Sequence, residues 1–327
     1  MIGIGITYHN EGEMLYECLR SIERQTIPVD EIIIYDDASE IPCQNFIPHT
    51  LKNRIRIIVG DKNLGQGAAR NAVVSALSSD YIRTQDADDI LMPDWHEIII
   101  KCTKDGGPDL ILHEYDFFSG HKVFMRSAAR LIQIDRFLDF REFCLSHGFV
   151  PSGAVYRKEF FKKTGGYLAR SEYPYSEDFE FHLRMSTLYP KINIINDALS
   201  LQRRRRQSSS FAEDTYHSEV YLTTCKAFEA HKETLLPYYE EWYAWKFVHV
   251  AQTFYSNGKI HESEKIFQKA VDLGGETFWR LAGESSRKTF LEKGFQALFL
   301  SHMQQFSQNP KQTLDRFRIR PGLLGIH

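Results

Sequence analysis

Paired cysteines are missing from this chain. Its five cysteines, Cys18, Cys43, Cys102, Cys144 and Cys225, are scattered, odd in number and without a CxxC pair. That excludes a disulfide framework and a zinc-finger-type site, and it predicts a reducing compartment. Long apolar runs are missing as well: nothing approaches the roughly 18 consecutive apolar residues of a membrane span. The start, MIGIGITYHNEGE, carries no basic segment and meets an acid by Glu11, which predicts a first strand and not a secretory leader. Nor is there a net field. Forty basic against 43 acidic residues leave −3, so no overall attraction draws the chain to nucleic acid. These absences together predict a soluble, cytoplasmic protein that binds no nucleic acid.

Two common ligand sites are also lacking. GIGITY starts like a dinucleotide fingerprint, but the third glycine position is Tyr8 and the glycines lie inside the strand. Asp86, Asp88 and Glu97 mimic the ends of a calcium loop, yet Ile90 and Leu91 stand where that loop needs a ligand and a glycine.

What is present is ordinary globular material, 43% hydrophobic and 25% charged, long enough for two domains or one with an appendage. IGIGIT and the β-branched EIIIYDD predict strands, the second covered on both faces. RIRIIVG and DYIRTQDADD predict two more. EMLYECLRSIERQT places Met14, Leu15, Cys18, Leu19 and Ile22 at helical spacing, and GQGAARNAVVSAL predicts a helix opened by glycines. The order of these elements predicts an α/β fold with a mostly parallel sheet. Ligands bind such sheets beyond the carboxyl ends of their strands, where YHNE, DDAS and DADD all fall. Later, DLILHEYDFF and HKVFMRSA predict strands, DRFLDFREFCLSHG a helix, and SEDFEFHLRMSTLY a helix with Glu177 and Asp178 in its first turn. From about residue 214 the chain is helical and aromatic, and VAQTFYSNGKIHESEKIFQKAVDLG resembles one tetratricopeptide-type helix pair without a second copy.

Each polar cluster has a structural and a chemical reading. One acid among Asp86, Asp88 and Asp89 can cap the helix-like ILMPDWHEIII. A cap does not explain three, and hard oxygens on a short loop suit Mg²⁺ or Mn²⁺ with phosphate oxygens as further ligands. Asp36 and Asp37 are turn formers or contacts for a uracil-type base or a ribose. Arg70 is a surface helix residue or faces that ligand. Glu177 and Asp178 answer the helix dipole or include a general base. The run Arg203 to Arg206 is a solvated face or an anion clamp.

The ordered set ITYHNE, EIIIYDDAS, NLGQGAARNAVVSALSSDYI, DADD and GGY…SEDFEFHLRM, spread over residues 2 to 210, resembles the family 2 inverting glycosyltransferases of the GT-A fold. The resemblance implies a GT-A domain over 1–213, with a nucleotide-sugar half (1–110) and an acceptor half (111–213), followed by a helical appendage over 214–327. It implies a pocket lined by Thr7, Tyr8 and Glu11, base contacts from Asp36 or Asp37 with Arg70 nearby, Asp86 near the ribose, and Asp88, with Asp86, holding Mn²⁺ or Mg²⁺. Asp178 would be the catalytic base and Glu177 would orient the acceptor. Arg203 or Arg206 would meet the diphosphate. The donor would be a nucleotide sugar, most simply UDP-linked, and the acceptor a saccharide or lipid-linked saccharide. Residues 214–327 leave a homodimer contact or a peripheral membrane contact open. The departures are Arg83, Thr84 and Gln85 in the strand entering DADD, and a run of four arginines. A nucleotidyltransferase and a non-catalytic GT-A protein are the rival readings; the first needs a basic glycine-rich loop that ITYHNEGEM lacks.

Overall fold

The computed structural model describes residues 1–104, 106–136, 139–146, 149–173, 175–204, 225–238, 240 and 243–309. The chain divides into two compact units, Met1–Asp135 with His147–Ala212, and Arg136–Ser146 with Glu213–His327.

The first unit is built on a nine-stranded sheet in the order β3-β2-β1-β4-β8-β6-β9-β5, with β7 paired to β6. The strands are β1 (Ile2–Tyr8), β2 (Glu31–Asp36), β3 (Ile55–Val59), β4 (Tyr81–Asp86), β5 (Ile90–Leu91), β6 (Leu110–Ser119), β7 (Lys122–Met125), β8 (Ala154–Arg157) and β9 (Ile192–Arg203). From β3 to β4 the pairing is parallel. Beyond β4 it is mixed, with β8 antiparallel to both β4 and β6, and β9 parallel to β6.

The two glycines of β1 have a packing reason. A Cβ on Gly5 would lie 2.5 Å from Val73 Cγ2, and one on Gly3 would lie 2.6 Å from Leu77 Cδ2. Both partners belong to the end of helix α2 (Gln66–Ala76) and the residue after it. The missing side chains let α2 lie directly on the strand. Helix α1 (Glu13–Glu23) covers the opposite side with Leu15, Cys18, Leu19 and Ile22, all buried. These join the isoleucines of β1 and β2 in the main core, and the alternation of the strand sends successive side chains to the two faces.

Three elements depart from the sequence reading. ILMPDWHEIII is not one helix capped by Asp88 or Asp89: Ile90–Leu91 pairs antiparallel with β9, and helix α3 (Trp95–Cys102) starts after Asp94. Of the helix read in DRFLDFREFCLSHG, the described residues show α4 (Phe140–Ser146), which belongs to the second unit. Strand β9 has no counterpart in the sequence reading. Helices α5 (Lys158–Thr164) and α6 (Glu177–Ser186) complete the first unit.

The second unit is helical: α7 (Val248–Ser256), α8 (Ile260–Leu273), α9 (Gly275–Ala282) and α10 (Glu284–Gln308), the last interrupted at Gly294. Helix α8 buries Ser263, Ile266, Phe267, Ala270 and Val271, a single stripe at helical spacing. Phe267 meets Phe278 and Phe299 edge-on at 5.8 and 5.7 Å. No described helix is long and apolar enough to cross a membrane.

Candidate active site

Strand register delivers the three polar clusters to one place. Thr7 of β1 stands opposite Asp86 of β4, and Tyr8 opposite Asp36 of β2. YHNE, DDAS and DADD therefore leave the sheet at the same level, at the carboxyl ends of neighbouring parallel strands.

The central group is Arg70 on α2. Its side chain is 3% exposed. Nη2 donates to Asp86 Oδ1 at 3.0 Å and Nη1 to Glu177 Oε1 at 2.9 Å, while the guanidinium lies 5.4 Å from the Tyr167 ring centroid. The end of β4 and the start of α6 are thus tied through one buried cation. The sequence reading placed Arg70 near the base or phosphate; in the structure it bridges two of the candidate acids.

Asp178 follows Glu177, and its Oδ1 accepts the Phe179 N–H at 2.8 Å. Burial pushes its carboxyl above the usual range; Arg70 opposes this and Asp86 adds to it. Glu177 is raised by burial and by Asp178, against the pull of Arg70. The two acids open α6 from Ser176, which sits in the left-handed region at φ 58°. Asn10 and Ala38, in the turns after β1 and β2, are also left-handed, at φ 66° and 55°. Non-glycine residues held there cost roughly 1–3 kcal/mol each and persist where the surroundings demand them. Here they aim the loops around the strand ends.

Asp36 and Asp37 are buried, and each works on the backbone. Asp36 accepts the N–H groups of Ser39 and Cys43, both at 2.9 Å. Asp37 accepts those of Leu64 and Gly65 at 2.8 and 2.9 Å, fixing the loop before α2. Both carboxylates therefore shape the pocket wall through the turns they hold. His9 joins the same wall: its Nδ1 lies 2.9 Å from the Asp37 carbonyl and its Nε2 2.9 Å from Asn63 Nδ2. Of the three wall residues expected from β1, Thr7 is mostly buried at the strand end. Tyr8 is buried, donates its hydroxyl to the Ile41 carbonyl at 3.0 Å, and is pushed up to about 12, mainly by burial. Glu11 accepts the His9 N–H at 2.5 Å.

The DADD turn is held from behind. Asp89 is buried, accepting from Ser152 Oγ at 2.8 Å and from the Arg203 N–H at 3.0 Å. Arg203 Nε donates to the Asp88 carbonyl at 3.0 Å, its guanidinium pairs with Glu17, and it stacks 4.5 Å from the Phe118 ring centroid. Asp89 thus fastens the turn to β9 and not to a following helix. Arg206 lies outside the described residues. Ser152, Tyr167 and His9 were not assigned roles from sequence, because each matters through a partner distant in the chain.

The unusual polar residues of β4 form a buried network under the turn. Arg83 Nε donates to Gln85 Oε1 at 2.7 Å, and Nη1 lies 2.7 Å from His113 Nε2. Trp95 Nε1 donates to the same nitrogen at 3.3 Å, and its ring lies 5.1 Å from the guanidinium. Since arginine only donates, His113 is the Nδ1–H tautomer, donating to the Glu114 carbonyl at 2.8 Å. Burial and Arg83 hold that histidine neutral, down to about 3.

Among the described residues no group of three or more His, Cys, Asp or Glu side chains is arranged to hold a metal. Ions of the Mg²⁺ class need only one or two carboxylates and complete their shell with water and substrate phosphates. Asp86 and Asp88 offer hard oxygens of that kind. Their charge is felt nearby: after burial, Asp88 and Asp86 push Glu11 and Asp89 above the usual carboxylate range.

Comparison with known proteins bears on the family and the fold. Residues 4–165 match the model of the family described as Glycosyl transferase family 2. Glycosyltransferase GlyG of Streptococcus pneumoniae is 27% identical over 224 residues, 64% of this chain and 72% of that protein. Glycosyltransferase YwdF of Bacillus subtilis is 32% identical over 195 residues, 58% of this chain and 69% of that protein. The amylovoran biosynthesis glycosyltransferase AmsE of Erwinia amylovora is 24% identical over 212 residues, 59% and 73% respectively. Among solved structures, S. aureus TarS in complex with UDP-GlcNAc matches with a TM-score of 0.62 at 14% identity, covering 94% of this chain and 91% of that one. Mannosyltransferase PcManGT from Pyrobaculum calidifontis, in complex with GDP-Man and Mn²⁺, matches with a TM-score of 0.56 at 13% identity, covering 95% and 87%. The fold is that of the GT-A transferases, with a helical C-terminal region. The chain belongs to glycosyltransferase family 2.

Proposed function

We propose that this glycosyltransferase is an inverting enzyme that moves a sugar from a nucleoside-diphosphate donor, UDP-linked, to a hydroxyl of a glycan or glycolipid acceptor during surface polysaccharide synthesis. The observation that carries this reading is the cluster of Asp86, Glu177 and Asp178 around buried Arg70 at the strand ends. UDP-GlcNAc in the TarS complex supports the donor class, and amylovoran biosynthesis by the relative AmsE supports the acceptor class.

Asp178 is the catalytic base. Its carboxylate takes the proton of the acceptor hydroxyl as that oxygen attacks the anomeric carbon. The bond to the diphosphate breaks from the opposite side, its electron pair leaving with the nucleoside diphosphate. A raised pKa suits this work, because a stronger base accepts the proton more readily at neutral pH. Glu177, held by Arg70, orients the acceptor. Thr7, Tyr8 and Glu11 form the nucleotide wall, whose loops Asp36 and Asp37 fix. Arg203, beside the DADD turn, or Arg206 would meet the diphosphate. Asp88, with Asp86, would hold Mn²⁺ or Mg²⁺, which when bound supplies positive charge to the departing diphosphate. The rest of the work falls to the chain's own residues.

The test is Asp178→Asn, checked for native circular dichroism and assayed for sugar transfer and for donor hydrolysis. Turnover should fall by roughly 10²- to 10⁴-fold. A folded variant with full turnover removes Asp178 from the mechanism. Release of pyrophosphate from a nucleoside triphosphate would favour nucleotidyl transfer instead.

A further inference from the structure

The helical unit contains a cavity of about 380 Å³ that the transfer chemistry does not use. Its walls include Trp245, Lys246, His249, Gln252, Thr253 and Asn257. That volume falls within the roughly 300–1,000 Å³ of small-ligand sites.

Trp245 and Lys246 come from a π-helical turn, Tyr243–Phe247, that runs directly into α7. Such widened turns are rare and recur at functional sites. The rings of Trp245 and His249 lie 5.4 Å apart at 53°, and Lys246 Nζ lies 5.6 Å from the Trp245 ring centroid. An aromatic wall with a cation at its edge results. Burial pushes the Lys246 ammonium down.

Two polar atoms in this wall are buried and lack a hydrogen-bond partner among the described residues: Trp245 Nε1 and Gln252 Oε1. Gln252 is only 1% exposed. The other end of its amide contacts His302 Nε2 at 3.0 Å, so whichever way the amide is turned, one of its polar atoms remains without a partner. Buried donors and acceptors are nearly always paired in folded proteins, and leaving them unpaired costs free energy. Both residues line the cavity, with these two atoms buried behind its surface.

The wall chemistry identifies the ligand class. An indole face suits the C–H face of a sugar ring. The Asn257 amide and the Thr253 hydroxyl, both on exposed residues of the lining, offer donors and acceptors, which vicinal hydroxyls require. A phosphate would call for several cations, and among the described residues Lys246 is the only Lys or Arg in the lining. A purely apolar ligand would leave the amides unsatisfied. We propose that this cavity is a saccharide-binding site that takes one or two sugar residues of a glycan chain. Binding itself does not depend on the catalytic reading; its use as a remote hold on the acceptor does.

Maltotriose and chitotriose are the probes, titrated against the full chain by tryptophan fluorescence and saturation-transfer difference NMR. Weak, saturable binding of at least one trisaccharide is expected. Trp245→Ala should weaken it about tenfold or more, as loss of an aromatic anchor does. Thr253 is exposed at the rim, so Thr253→Trp should fill the cavity and abolish binding while donor hydrolysis stays at the wild-type rate. This second variant keeps the test decisive if Trp245→Ala does not fold. Asp178→Asn should bind the trisaccharides as the wild type does, which separates this proposal from the catalytic one. The proposal is overturned if neither trisaccharide binds saturably, if the two cavity variants bind like the wild type, or if inorganic phosphate binds and the trisaccharides do not.

Discussion

Arg70→Met removes the buried cation shared by Asp86 and Glu177 while keeping most of the side-chain volume. Breaking a buried ion pair from one side typically costs about 3–5 kcal/mol, because the partner charge is left uncompensated. Here two opposing effects set the size. Asp86 keeps 29% and Glu177 16% of its side chain exposed, so water recovers part of the loss. Arg70 itself no longer has to be desolvated. The expected cost is therefore at the low end, about 3 kcal/mol at neutral pH, or a fall of roughly 6–12 °C in the melting temperature of a unit of this size. The pH dependence is the sharper readout. The folded-state pKa values of Glu177 and Asp178 are raised by burial even with Arg70 holding them down. Such groups give their full stability below the unfolded carboxylate pKa and lose it as pH rises through the folded value. Without Arg70 the folded values rise further, and the loss deepens. The deficit of Arg70→Met should thus be smaller near pH 4 and should grow toward pH 8. Urea melts followed by circular dichroism across that range measure it. Adding Glu177→Gln should recover a substantial part at pH 8. A deficit that is flat with pH, or a double variant no better than the single, would refute the assignment of Arg70 as the charge partner of these acids.

Three further outcomes are expected. The acid limb of kcat/KM should lie above the ordinary aspartate value of about 3.9, because Asp178 must be deprotonated and burial raises its pKa; activity undiminished down to pH 4 contradicts this. Asp37→Ala should cost about 1–3 kcal/mol by removing a charged acceptor of two backbone N–H groups, and it should raise the KM for the donor more than it lowers kcat, since the Leu64–Gly65 loop loses its anchor. Gly5→Ala should destabilise by about 1–3 kcal/mol through overpacking, and Val73→Ala should relieve it only in part, because it removes Cγ2 at 2.5 Å but leaves the Val73 Cβ 2.7 Å from the added methyl group.

Much of the parallel part of the sheet was legible in the chain, and the reason is local. EIIIYDD and IGIGIT are short apolar runs bounded by polar turns, and α1 carries its apolar stripe in continuous sequence. The second half was harder to read. Strand β9 contains Asn193, Asn196 and Asp197, so no clean period survives, and it becomes a strand by pairing with β6, about eighty residues earlier in the chain. Ile90–Leu91 read as helix because the residues after it are helical; a two-residue strand exists only when β9 arrives beside it. The arginine in β4 looked out of place because its partners, His113 and Trp95, lie on other elements.

Sequence alone determined the class of fold, the family, and the acids at the ends of β1, β2, β4 and the start of α6, because residue type and spacing within one element are enough for that. Tertiary structure decided the work of each acid. Asp36 and Asp37 accept backbone amides, Asp89 fastens β9, and Asp86 and Glu177 share Arg70. Asp36 apart, whose partners Ser39 and Cys43 lie within seven residues, these assignments depend on partners from sixteen to more than a hundred residues away, and on burial that changes what a carboxylate does; neither quantity is contained in any short stretch of the chain.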